Sequence, residues 1–115
     1  MYERSRHLMD CHIAGFTYYD GLDVLDNLKP GTPVDLKAEP DNPYDPEAVA
    51  IYYGDTKLGY IPRAKTYYVS KLLYFGHGDI YDVKINHRNL EEKPENQFRI
   101  VVKIMDNRIG DDENA

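Results

Sequence analysis

Residues 48–62, AVAIYYGDTKLGYIP, decide the fold. Ala48 to Tyr53 is a short apolar run rich in β-favouring residues and reads as a strand. Gly54-Asp55 turns the chain, and Lys57 to Ile61 returns as a hairpin partner. Pro62 closes that second strand because it has no backbone N–H to donate.

Upstream, Pro33 to Pro40 alternates: Val34, Leu36 and Ala38 point one way, Asp35, Lys37 and Glu39 the other. That is a half-solvated strand. Residues 41–46, DNPYDP, then form a loop, because three prolines between Pro40 and Pro46 cannot sustain a ladder. Leu22, Leu25 and Leu28, three apart, predict a short helical turn stopped by Lys29-Pro30-Gly31. Cys11 to Tyr19, CHIAGFTYY, is expected to be the first strand, with Gly15 at a bulge or close backbone approach. Residues 1–10 read as a lead-in.

Downstream, Ala64 to Phe75 reads as the one main helix, burying Val69, Leu72, Leu73 and Gly76. Ile80 to His87 and Phe98 to Met105 are two further strands, the second alternating Phe98, Ile100, Val102 and Ile104. Asn89 to Asn96 is a polar loop, and 107–115 a polar, acidic tail. The expected fold is mostly β: about six strands and one main helix in a small barrel or tightly rolled sheet, one domain over 11–106.

Composition narrows the function. A chain of 115 residues with 42% apolar and 30% charged residues has the balance of a single-core globular domain. No apolar run approaches the roughly 18 residues of a membrane span. Cys11 is the only cysteine, so no internal disulfide can form and a cytoplasmic setting is expected. Cys11, His12 and His7 fall short of a structural metal set, so no metal or cofactor is expected. The net charge of −6 opposes a partner bound mainly by counterion release. Yet Lys57, Arg63, Lys65 and Lys71 lie between Thr56 and Gly78 without one acidic residue, which allows a local positive face.

Three motifs stand out. In the loop, Asp45 suits the cap of a turn that has Pro46 first and Glu47 next. Capping does not account for Tyr44, a tyrosine on a stiff Pro-flanked loop of the kind that carries binding groups. In Leu58 to Arg63, Gly59 permits close backbone approach, and Arg63 with Lys65 sits at the expected helix entry, where a phosphate would meet free N–H donors. In Gly15 to Tyr19, alternation sets Phe16 and Tyr18 against Thr17 and Tyr19 across the strand.

Together these segments, HIAGFTYYDG, VDLKAEPDNPYDPEAVAIY and KLGYIPRAKTYYVSKLL, resemble the HIRAN domain of DNA-remodelling helicases and of short stand-alone bacterial proteins. The resemblance covers about His12 to Phe75 and is looser through the last strand; NPYDPEAV followed by LGYIPR carries it. It implies an OB-like six-stranded barrel that binds single-stranded DNA at a free 3′ end, a non-catalytic role suited to DNA repair. By matched positions, Tyr44 would stack on the terminal nucleotide and Asp45 would meet its 3′-hydroxyl. Tyr18 would form the pocket wall, Asn42 would shape the loop, and Tyr60 and Arg63 would follow the sugar-phosphate path. Phe98 falls near a family aromatic. Thr17 stands where the helicase-associated domain has an arginine, which removes one phosphate contact.

Two other readings compete. One is a protein-interaction adaptor using a sheet edge or the tyrosine-rich face, with 11 tyrosines to supply it. The other is an enzyme pairing Asp45 with His77 or His87, for which no nucleophile motif is present.

Overall fold

The structure, a computed structural model, describes residues 4–93 and 96–106; the expected tail at 107–115 lies outside the described residues. The hairpin is the centre of one sheet. Strands β3 (Val49–Tyr53) and β4 (Thr56–Tyr60) pair antiparallel, with Tyr53 opposite Thr56. Gly54 makes the turn at φ 59°, a conformation that favours glycine. The alternating segment before the loop forms β2 (Asp35–Ala38) on the other side of β3.

The second sheet is built around the C-terminal strand. There β6 (Phe98–Met105) lies between β1 (Ser5–His12) and β5 (Tyr81–Arg88), antiparallel to both. The two sheets enclose one core. Val49, Ile51 and Leu58 enter it from the first, and Cys11, Val83, Ile85, Phe98, Ile100 and Val102 from the second. Helix α1 (Tyr67–Tyr74) contributes Val69.

Among the described residues six strands therefore form two three-stranded sheets, ordered β2-β3-β4 and β1-β6-β5, where a barrel was expected. Single bridges mark the two corners: Ala14 with Tyr60, and Pro33 with Lys84. A ladder cannot run on past either corner. Pro33 lacks a donor, and Gly15 at φ 73° turns the chain away directly after Ala14.

The first strand lies earlier than expected. It begins at Ser5, inside the stretch read as lead-in, and ends at His12. Residues expected as its second half form a 3₁₀ turn, Phe16–Tyr18. Two facts explain the shift. A register break between His7 and Met9 hides the alternation of β1. Meanwhile Phe16 gains more by turning inward onto Phe98, ring centroids 4.9 Å apart, than by lying in a strand. The leucine-spaced segment, Asp20–Asn27, is 3₁₀-helical on either side of a kink at Val24.

Helix α1 likewise starts at Tyr67, three residues after the expected Ala64. Arg63–Lys65 is a separate 3₁₀ turn closed by Thr66, whose hydroxyl donates to the Arg63 carbonyl at 3.0 Å. Leu72, expected in the core, is 36% exposed, while Leu73 packs against it. Among the described residues, no helix is long and apolar enough to cross a membrane.

Candidate functional site

The Pro-rich loop between β2 and β3 is shaped by its own side chains. The Asn42 amide oxygen accepts the backbone N–H of Tyr44 at 2.8 Å and of Asp45 at 3.1 Å. The Asp45 carboxylate accepts the Glu47 N–H at 2.9 Å, the cap expected from the sequence. From the far side of the loop Arg63 reaches in. Its Nε donates to Asp45 Oδ2 at 3.2 Å and its terminal nitrogen to the Tyr44 carbonyl at 3.1 Å. With the backbone fixed on both sides, the Tyr44 side chain stands out at 87% exposure.

Beside this loop lies an open groove of about 500 Å³, whose walls include Tyr19, Glu39, Asn42, Tyr44, Asp45, Tyr60 and Arg63. One hydrogen-bond network forms its floor. Glu39 Oε1 accepts from the Tyr60 hydroxyl at 2.7 Å and from the Asn42 amide at 3.1 Å, while Oε2 pairs with Lys57 at 2.8 Å. Lys57 also donates to the Tyr60 hydroxyl at 2.7 Å and lies over the Tyr60 ring. Tyr19 meets Tyr60 edge-on, centroids 5.6 Å apart.

Charges in the groove are set by these contacts. Burial alone would raise the Glu39 carboxyl, but hydrogen bonds from Lys57, Tyr60 and Asn42 outweigh it and hold it below its ordinary value. Burial pushes the Tyr60 phenol up to about 12, with its bond to Glu39 acting the same way. Asp45 is held low, first by the Glu47 amide and then by Arg63. The groove is thus lined by two ionised carboxylates, and Arg63, with its side chain 75% exposed, is its most open cation.

Five of the eight residues singled out from the sequence converge here: Asn42, Tyr44, Asp45, Tyr60 and Arg63. Three do not line the groove. Tyr18, expected in its wall, points to solvent at 84% exposure, and Tyr19 takes that place. Strand alternation does not apply in the 3₁₀ turn that carries Tyr18. Lys65 donates instead to the Asp10 carbonyl at 3.2 Å. Phe98 is a core residue at 1% exposure, packed on Phe16. Nor does a long helix open at Arg63 to add N–H donors for a phosphate, since α1 starts at Tyr67.

Glu39, which lines the groove, and its ion-pair partner Lys57 are not among the site residues expected from the sequence, where Lys57 counts only toward a local positive face. Alternation sets Glu39 on the solvated face of a strand, whereas it lies one residue past β2 with its side chain only 24% exposed.

The other constellations come apart. Cys11 points into the core opposite Ile100, its thiol pushed up to about 11 by burial, whereas His12 lies on the other face opposite Arg99. Among the described residues, no group of three or more His, Cys, Asp or Glu is placed to hold a metal. His87 pairs with Glu92 at 3.0 Å and Asp45 with Arg63, so these two do not form the acid–base pair imagined from the sequence.

Compared with known families, residues 7–107 match the model of the HIRAN domain. The chain belongs to the HIRAN family. The HIRAN fold is also visible in solved structures. A crystal structure of a protein from Lactobacillus plantarum matches with TM-score 0.70 and 21% identity, over 89% of this chain and 96% of that one. The crystal structure of the HIRAN domain of human HLTF matches with TM-score 0.58 and 16% identity, over 87% of this chain and 72% of that one. No curated protein matches by sequence.

Proposed function

We propose that this HIRAN domain is a non-catalytic module that binds single-stranded DNA, with a free 3′-hydroxyl end lodged in the groove beside Tyr44. The observation that carries the reading is the 87%-exposed Tyr44 side chain, held on a clamped loop at the mouth of an open groove. Stacking of a base on tyrosine contributes about 1–3 kcal/mol and tolerates any base. A backbone already fixed by Asn42, Asp45 and Arg63 loses little further freedom on binding.

Asp45 then selects the end. Each of its oxygens already accepts one hydrogen bond and can accept another, so a terminal hydroxyl has an acceptor. A terminal phosphate would face ionised Asp45 and Glu39 together. Arg63 has donors left beyond the two it spends on the loop, and its exposed side chain suits a backbone phosphate. The net charge of −6 and Thr17 in place of the family arginine make the affinity modest and salt-sensitive.

Fluorescence anisotropy at low salt tests this, using short thymidine strands that end in 3′-hydroxyl or 3′-phosphate. The hydroxyl strand is expected to bind roughly tenfold tighter, about 1.4 kcal/mol. Tyr44→Ala should weaken it by a similar factor or more, and Asp45→Ala should erase the preference between ends. Equal binding of both strands by the unaltered protein would sink the proposal.

The adaptor reading retains one supporting observation: helix α1 and its end expose Tyr67, Tyr74 and Phe75. A protein partner captured after nuclease treatment and indifferent to Tyr44→Ala would favour it.

A further inference from the structure

The loop also borders a second cavity. It encloses about 390 Å³ between Pro40, Pro46 and Ala48 on one wall and Lys71, Tyr74 and Phe75 at the end of α1. Ala48 also lines the Tyr44 groove, so a single strip of chain separates the two spaces. Tyr74 is 60% and Phe75 71% exposed, so neither ring is there to complete the core. Their rings meet edge to face, at 88° and 4.9 Å. That geometry leaves ring faces free for a third flat group.

The rim carries one cation, Lys71, and one carboxylate, Glu47. Lys71 Nζ lies 3.5 Å from Glu47, both side chains about half exposed, and 4.7 Å from the centre of the Tyr67 ring. An exposed ion pair of this kind is worth little, and a phosphate can compete for the lysine. The helix segment belongs to the stretch from Thr56 to Gly78 that has four basic residues and no acidic one.

We propose that this cavity is a second base subsite: a nucleobase of the same strand, upstream of the 3′ end, stacks on Tyr74 or Phe75 while its phosphate meets Lys71. The inference rests on the DNA reading above and extends the path of the strand across the loop, from the Tyr44 groove to the helix. A planar ligand with an attached anion matches the Tyr74 and Phe75 rings beside a rim lysine that the anion can draw away from Glu47. Continuity with the groove favours the same DNA strand over an apolar peptide.

The test compares a thymidine dinucleotide with a decanucleotide, both with 3′-hydroxyl ends, by fluorescence anisotropy on the full chain. The unaltered protein should bind the longer strand more tightly. The Tyr74→Ala/Phe75→Ala variant should lose roughly tenfold of that advantage while its dinucleotide affinity stays put. Thermal melting by circular dichroism checks that the variant folds, and Lys71→Gln should produce a smaller loss of the same kind without altering the aromatic pair. An unchanged ratio of long- to short-strand affinity in both variants overturns the subsite and leaves the rings as a protein-docking surface. Failure of the unaltered protein to bind either strand overturns the DNA reading itself, so the dinucleotide separates the two failures.

Discussion

Strand β6 and the loop before β3 hold aromatic residues by opposite means. Phe98 is fixed at 1% exposure by the side chains packed round it, with Phe16 on one side and the Arg88 guanidinium 5.9 Å above its ring. Tyr44 is 87% exposed, and only its backbone is fixed, by Asn42 and Arg63. Packing energy sets the first position and polar side-chain-to-backbone bonds set the second. A change at Phe98 should therefore strike the fold, and a change at Tyr44 only what the fold presents.

The sharpest way to break that contrast is Phe98→Ala. Removing a buried phenyl ring costs about 3–5 kcal/mol through lost transfer energy and the cavity left behind. Urea denaturation should read a loss of that size, whereas Tyr44→Ala should fall within about 0.5 kcal/mol of the parent. Similar losses for the two would mean that Phe98 is not the core residue its surroundings make it.

A somewhat smaller loss is expected at the corner that joins the two regions. Gly59 sits at φ 152°, and a Cβ there would come within 2.4 Å of the Ala14 carbonyl oxygen. Backbone strain and this contact together should cost about 2–3 kcal/mol in Gly59→Ala. Neither atom is the end of a flexible side chain, so the bridge between Ala14 and Tyr60 must give way. Amide exchange at Ala14 and Tyr60 should speed up with the loss of stability, and unchanged protection there would show that the corner yields elsewhere.

The same contrast governs what could be read from the sequence. The hairpin and β6 were legible because glycine, proline and strict alternation act locally. The 42–47 loop was legible for a related reason: Asn42 and Asp45 bond backbone groups two or three residues away. The true start of β1 was hidden. Its register breaks after His7, and its outward Arg6, His7 and Asp10 look like a solvated lead-in. Phe16 to Tyr18 was misread because residues that favour strands also fill a 3₁₀ turn once Phe16 has a distant ring to pack on. The ion pair that ties the groove floor together was out of reach. Glu39 and Lys57 lie 18 positions apart and meet only after two strands have folded back on each other.

The groove floor also supplies the smallest expected effect, one that a single pH series can isolate. Glu39 has a folded-state value below its unfolded one, so its contribution is fully present above about pH 4.5 and is lost as pH falls through the folded value. Protonation removes the charge that Lys57 answers and weakens the bond from Tyr60. Glu39→Gln keeps the shape and an acceptor for Asn42 but removes the titration. Urea midpoints measured from neutral to acid should fall less steeply for the variant, the two curves drawing together as pH falls through the folded value of Glu39. Asp10, held low by Arg99 and His7, and Asp45, held low by the Glu47 amide and Arg63, titrate in both proteins, so a common acid slope remains. Parallel curves would mean that the ion pair with Lys57 adds nothing to stability. The loop would then stand on its own hydrogen bonds, with no help from the charged floor beneath it.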